Sequence, residues 1–234
     1  MSESRDLEFE PLDLDYYKNR YVTGRGEVSE DLARKLSVQV KKNTDLRIGD
    51  RNIEIFVSKG VIDEISRFIE EEGDLDLEHI GFIGGHVSEN QDLYITHANY
   101  SEKGSSVSVN AGTGDEVNLD NRLSEFSKTV GKVFKALSWW HTHPGHGPIP
   151  VSQHDRNSQK TFQSYIGGLF AGRENLEPIH TSSLVFDTRN RNPDLDRKFS
   201  LWMVNEDEGF DLIPFTVLSE DEVKESIGVS TLEI

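Results

Sequence analysis

The chain contains no cysteine and no uninterrupted apolar run near the length of a membrane span. The first absence excludes disulfides, a thiolate nucleophile and any structural zinc held by sulfur. The second leaves no expected membrane-crossing helix, which needs about 20 consecutive apolar residues. The opening Met1-Ser2-Glu3-Ser4-Arg5-Asp6 lacks the basic and then apolar pattern of a secretory signal, so the expected location is the cytoplasm. Basic residues are also in short supply, with 25 Lys and Arg against 42 Asp and Glu, a net charge of −17. Such a surface repels phosphate backbones, and no local basic patch offsets it. Neither nucleic acid nor membrane is an expected partner.

At 234 residues the chain is long enough for one substantial domain plus an extra segment. The first fifty residues differ from the rest. Six acids (Glu3, Asp6, Glu8, Glu10, Asp13 and Asp15) precede an aromatic and basic patch from Tyr16 to Tyr21. Ser29 then reads as the N-cap of a helix carrying Leu32, Leu36 and Val40. Residues 1–50 are therefore expected to form an acidic segment and helix, a candidate docking arm, ahead of a main domain over 51–234.

Regular patterning begins near Asn52. Ile53, Ile55 and Val57 alternate as a strand, and Ser58 can cap a helix with Ile62, Ile65, Phe68 and Ile69 on one stripe, closed by Gly73. Residues 78–87 and 93–98 read as two strands joined by a polar turn. The Ser- and Gly-rich stretch from Ser101 to Asp115 reads as a mobile loop. A second amphipathic helix is expected from about Leu119, with Leu123, Phe126, Val130, Val133 and Phe134 at helical spacing. A buried strand, Ala136 to His141, follows. After a Gly- and Pro-rich loop a helix should start at Ser152. Later strands are expected over 183–186, 199–204 and 212–218, with a short helix opened by Ser219. The elements alternate without a strict βαβ rhythm, so the expected class is α/β (α+β): a mixed β-sheet flanked by helices.

The chemistry gathers in His141-Thr142-His143-Pro144 and Ser152-x-x-Asp155. Imidazoles at i and i+2 of an extended segment point to the same side. Ser152 and Asp155 can share one face of a helix's first turn. Two nitrogens and one oxygen with a fourth position open are what a catalytic zinc site needs, and His141, His143 and Asp155 can supply them. Zinc lowers the pKa of water towards neutrality, but a separate carboxylate must still shuttle the proton. The best upstream candidate is Glu78, at a strand edge and followed by Gly81 and Gly85, which permit close approach. Ser152 is then free to donate a hydrogen bond to a forming oxyanion.

Taken singly, each element has a plainer explanation. A His-x-His pair can merely hydrogen-bond within a fold, Ser-x-x-Asp is an ordinary capping box, and Glu78 is one acid among many. The specificity lies in their order along the chain. His79, His86, His97, His154 and His180 read as surface or strand-edge histidines, and His146 as a loop histidine in solvent. Trp139 and Trp140 read as packing residues. Gly84-Gly85 and Gly167-Gly168 read as turn or close-packing devices.

With these motifs in order, the chain resembles the JAMM (MPN-plus, JAB-domain) metalloproteases, which remove ubiquitin or ubiquitin-like proteins from their targets. The likeness rests on Glu78-x-x-Gly81-x-x-x-Gly85, on Trp140-His141-Thr142-His143-Pro144-Gly145 and on Ser152-x-x-Asp155. It implies a JAB/MPN-type, cytidine deaminase-like fold. It implies Zn2+ on His141, His143 and Asp155, Glu78 as general acid/base, and Ser152 steadying the tetrahedral intermediate. It further implies a peptidase or isopeptidase acting after the C-terminal glycine of a ubiquitin or ubiquitin-like protein, with that protein or its conjugate and the conjugation enzymes as partners, and a dimer among the open oligomeric states. The interval from His143 to Ser152 is one residue longer than in the better-known eukaryotic members, and the stretch from Gly167 to Thr181 is short. Both features fit a bacterial or archaeal stand-alone type. Three alternatives stay open: release of an amino acid or peptide from a sulfur-carrier protein, an iron oxygenase built on the same two-histidine, one-carboxylate set, and a non-catalytic MPN scaffold.

Overall fold

The computed structural model describes residues 9–12, 40–42, 47–48, 51–73, 75–90, 92–104, 113–143, 182–187, 197–204 and 210–234. Its elements in chain order are β1 (Phe9–Pro11), β2 (Val40–Lys42), β3 (Arg47–Ile48), β4 (Arg51–Asn52), β5 (Ile55–Ser58), α1 (Lys59–Glu72), β6 (His79–Val87), β7 (Leu93–Ala98), β8 (Glu102–Lys103), α2 (Thr113–Val130), β9 (Phe134–His143), β10 (Ser182–Asp187), β11 (Arg197–Val204), β12 (Phe210–Ile213), β13 (Thr216–Leu218) and α3 (Glu220–Ile227). All the strands except the β3–β4 pair join one mixed sheet in the order β13-β5-β7-β6-β9-β10-β11-β12-β2, with β8 beside β6 and β1 beside β11. The expected class, a mixed sheet flanked by helices, is the class observed.

α1 forms where its sequence says it should. Ser58 Oγ accepts the Gly60 amide, and Gly73 closes the helix at φ 68, a left-handed conformation that glycine adopts without strain. Burial of Val61, Ile62, Ile65 and Ile69 secures it. At about 1.5–3 kcal/mol each, those four side chains outweigh the exposed Lys59–Asp63 and Arg67–Glu71 pairs, worth a few tenths each. They meet one face of the sheet together with Val57, Ile83, Trp140, Phe186 and Phe199. The opposite face carries Ile80, Phe82 and Trp139 under Leu119, Leu123 and Phe126 of α2 and Val223 of α3.

A bulge decides which face the end of β9 presents. β6 pairs with β9 antiparallel, Ile80 opposite His141 and Ile83 opposite Ser138, but Gly84 then stands opposite Ala136. Leu137 and Ser138 thus share one partner, Ile83, and the alternation of β9 shifts by one residue. Phe134 and Trp139, of opposite parity, consequently reach the same α2-side core. The bulge also carries His141 and His143 to that side.

Glycine is required where the strands crowd. A Cβ on Gly81 would lie 1.9 Å from the Asn99 carbonyl oxygen and 2.5 Å from Trp140 Nε1. A Cβ on Gly85 would lie 1.8 Å from the Tyr94 carbonyl oxygen. Backbone cannot yield such space cheaply. These glycines let neighbouring strands approach, as the close-packing reading of Gly84-Gly85 expects.

Several expectations need correction. The stretch from Ser101 to Asp115 is not all loop: Glu102 and Lys103 pair with Ile80 and His79, and α2 begins at Thr113. The Asp115 carboxylate accepts from Ser101 Oγ at 2.6 Å and its carbonyl from Asn99 Nδ2 at 3.0 Å, tying the helix start to the sheet. Residues 105–112 lie outside the described ones. α2 ends at Val130 because Gly131 turns the chain at φ 70, so Val133 is exposed and Phe134 begins β9. Pro214, which has no amide hydrogen, separates β12 from β13 where one strand was expected. Val40, placed on the helical stripe, stands in β2 and pairs with Phe210; the rest of that expected helix, from Ser29, lies outside the described residues.

His79, His86 and His97 are buried, not surface histidines. His97 Nε2 lies 2.7 Å from the Leu232 carbonyl oxygen and Nδ1 2.6 Å from the Thr96 hydroxyl. A carbonyl only accepts, so Nε2 carries the proton and Nδ1 accepts from Thr96, a neutral ring with both nitrogens satisfied. Burial pulls its pKa down to about 4, more than the Leu232 contact raises it. The unfolded chain binds this proton near pH 6.5 and the folded one only near 4, so the contribution is complete above pH 6.5 and is lost as pH falls towards 4. The shift corresponds to about 3 kcal/mol. Urea midpoints measured between pH 7 and 4.5 should fall more steeply for the natural chain than for His97→Gln, and parallel slopes would contradict this account.

Candidate metal centre

The site is built at the end of the sheet where β9 finishes and β6 begins. β9 carries His141 and His143 on one face, and the ladder places Ile80 of β6 directly opposite His141. Glu78 immediately precedes β6, whose ladder with β9 ends at the Ile80–His141 pair. Glu78 is itself fixed by its backbone, whose carbonyl accepts the Gly104 amide at 2.8 Å beside β8. The structure thus brings together two of the five residues singled out in the sequence, His141 and His143, and sets Glu78 just before the strand that pairs with theirs.

The two imidazoles converge. His141 Nε2 lies 2.9 Å from His143 Nε2, with ring centroids 4.7 Å apart and planes 68° apart. Two nitrogens each about 2.0–2.1 Å from one tetrahedral ion would stand about 3.3 Å apart, so the pair fits such an ion after a shift of a few tenths of an ångström. The closer approach is that of a hydrogen bond between the two ring nitrogens.

The two rings are held unequally. His141 is 1% exposed and lies parallel to the Trp139 indole, with centroids 4.8 Å apart and planes 12° apart. His143 is half-buried at the strand end. A rigid inner nitrogen and an accessible outer one leave the open side of the pair towards the strand terminus. The Trp139 indole N–H is buried without an acceptor among the described residues. Trp139, read from sequence as packing alone, also stacks on the His141 ring.

Thr142, between the histidines, points to the other face and is fully buried. Its Oγ1 accepts the His79 amide at 2.8 Å and lies 3.4 Å from the Leu77 carbonyl oxygen. Sequence reasoning gave it no role; a hydroxyl on the core-facing position of a strand was the signal available.

Ser152 and Asp155 fall in the stretch joining β9 to β10 and lie outside the described residues. Among the described residues no group of three metal-binding side chains occurs, and the expected third ligand is not among them. No described helix is long and apolar enough to cross a membrane.

Residues 51–168, half of the chain, match the family described as JAB1/Mov34/MPN/PAD-1 ubiquitin protease, and the chain belongs to that family. The matched span contains Glu78, His141 and His143. No curated protein matches the chain. Among solved structures, one of a Desulfitobacterium hafniense protein, determined in solution, is 17% identical with a TM-score of 0.44, over 71% of this chain and 96% of that one. So loose a likeness carries no argument about the site.

The unequal packing has a measurable consequence. With metal chelated, His141→Ala should cost about 1–3 kcal/mol of unfolding free energy, because it removes a buried, stacked ring. His143→Ala should cost less than about 1 kcal/mol. Zinc should raise the urea midpoint of the natural chain and of neither variant. Equal apo costs, or zinc stabilisation that survives either substitution, would contradict the site as drawn.

Proposed function

We propose that the chain is a zinc-dependent peptidase or isopeptidase that cuts after the C-terminal glycine of a ubiquitin or ubiquitin-like protein, in deconjugation or precursor processing. The observation that carries the reading is the convergent His141–His143 pair at the end of β9. Family membership supports it.

His141, His143 and Asp155 would hold the metal. Bound there, zinc would polarise the scissile carbonyl and make water acidic enough to attack near neutral pH. Glu78 accepts a proton from the attacking water and later returns it to the departing amine nitrogen, so one carboxylate serves as base and then as acid. Ser152 donates a hydrogen bond to the oxyanion as the carbonyl carbon becomes tetrahedral.

The substrate tail is expected to bind extended, by strand addition near Glu78. β8 already occupies the edge of β6 at His79 and Ile80, and among the described residues no strand pairs with the far side of β8. That side is where the tail would add. Residues 1–50 are proposed as the docking arm for substrate or a conjugating enzyme.

Release of a residue from a sulfur-carrier protein would use the same groups on another Gly-Gly tail, and a panel of fusions to ubiquitin-like proteins separates the two substrates. Glu78→Gln should retain zinc while turnover falls by about 100- to 10,000-fold, the usual worth of a general acid–base group. Unimpaired cleavage by that variant, measured with zinc content confirmed, would remove Glu78 from the mechanism.

A further inference from the structure

We infer that Thr142 is a positioning residue for Glu78: its buried hydroxyl grips the backbone on both sides of that carboxylate and holds it in front of the histidine pair. This inference rests on the peptidase reading above and adds a role for a residue that neither ligates metal nor faces the site.

The backbone ladder between β6 and β9 reaches Ile80 opposite His141 and goes no further towards Glu78. Beyond that point a side chain takes over. Thr142 Oγ1 accepts the amide hydrogen of His79 at 2.8 Å and reaches the carbonyl oxygen of Leu77 at 3.4 Å. Glu78 is the residue between those two groups. Its own carbonyl accepts from Gly104 at 2.8 Å on the β8 side. The segment from Leu77 to His79 is thereby held from β9 by a hydroxyl and from β8 by an amide.

Parity makes the arrangement economical. His141 and His143 face one side of β9, so Thr142 must face the other, where Phe186 stands opposite it on β10. The hydroxyl is 0% exposed, so water does not compete for either partner. Serine can make the same contacts; valine, of nearly equal shape, makes neither and strands the His79 amide. The segment would then be free to shift relative to β9, and a displacement of about 1 Å at a reacting group can cost about 100-fold in rate.

The test compares Thr142→Val with Thr142→Ser in the full chain, loaded with zinc, on a ubiquitin-like fusion cleaved by the natural protein. For Thr142→Val, kcat should fall about 10- to 100-fold with KM and zinc content held within about twofold. Exchange of the His79 amide hydrogen should quicken by about tenfold or more. Thr142→Ser should restore both readouts to within about threefold of the natural chain. Undiminished kcat in Thr142→Val, equal losses in the two variants, or a loss explained by missing zinc would each overturn the assignment. A natural chain that cleaves no fusion at all would instead overturn the peptidase reading, and the inference with it. Amide exchange distinguishes these failures, because it reports the Thr142 contact whether or not cleavage occurs.

Discussion

The register between β6 and β9 is the constraint on which the site depends, because it pairs the strand that follows Glu78 with the strand that carries His141 and His143. These residues lie more than sixty positions apart in the chain. A slip of one residue would turn the paired side chains of β6 to the opposite face of the sheet and move Glu78 relative to the histidine pair. The bulge at Leu137 and Ser138 is part of the same constraint. It resets the alternation of β9 between a half that buries Phe134 and a half that presents the imidazoles.

The core enforces that register through fit. Gly81 sits against the Asn99 carbonyl and the Trp140 indole, whose N–H donates to that same carbonyl at 2.8 Å. Asn99 in turn accepts from the Phe82 amide through its side chain and donates to the Asp115 carbonyl, so β6, β9 and the start of α2 meet at one residue. A side chain at position 81 or 85 would collide with backbone. Trp139 then stacks on the inner histidine from the α2 side while Trp140 fills the opposite core. Packing and chemistry are thus set by neighbouring residues of one strand, alternating between the two faces.

Local signals explain what was legible in the sequence. The Ser58 cap, the Ile62–Ile65–Ile69 stripe and the Gly73 stop specify α1 within a short window, and Ser219 with Glu222 forms a complete capping box for α3. The His-x-His pair was legible for a similar reason, since strand alternation fixes its geometry without help from elsewhere. Glu78 could be proposed only through its spacing to Gly81 and Gly85. The misread parts depend on tertiary contacts. β8 exists because the edge of β6 at His79 needed a partner, and Val133 and Phe134 continue a helical stripe that Gly131 ends. His97 is buried because Leu232, 135 residues later, returns to accept its proton. The bulge has no mark in Ala136-Leu137-Ser138 that a single sequence would reveal.

The most direct test is crystallographic: anomalous diffraction collected above and below the zinc edge from crystals of the full chain grown with equimolar zinc. The account predicts one dominant anomalous peak about 2.0–2.1 Å from both His141 Nε2 and His143 Nε2, with the Glu78 carboxylate facing it. Anomalous density at some other place on the chain, or histidine nitrogens turned apart with no peak between them, would contradict it.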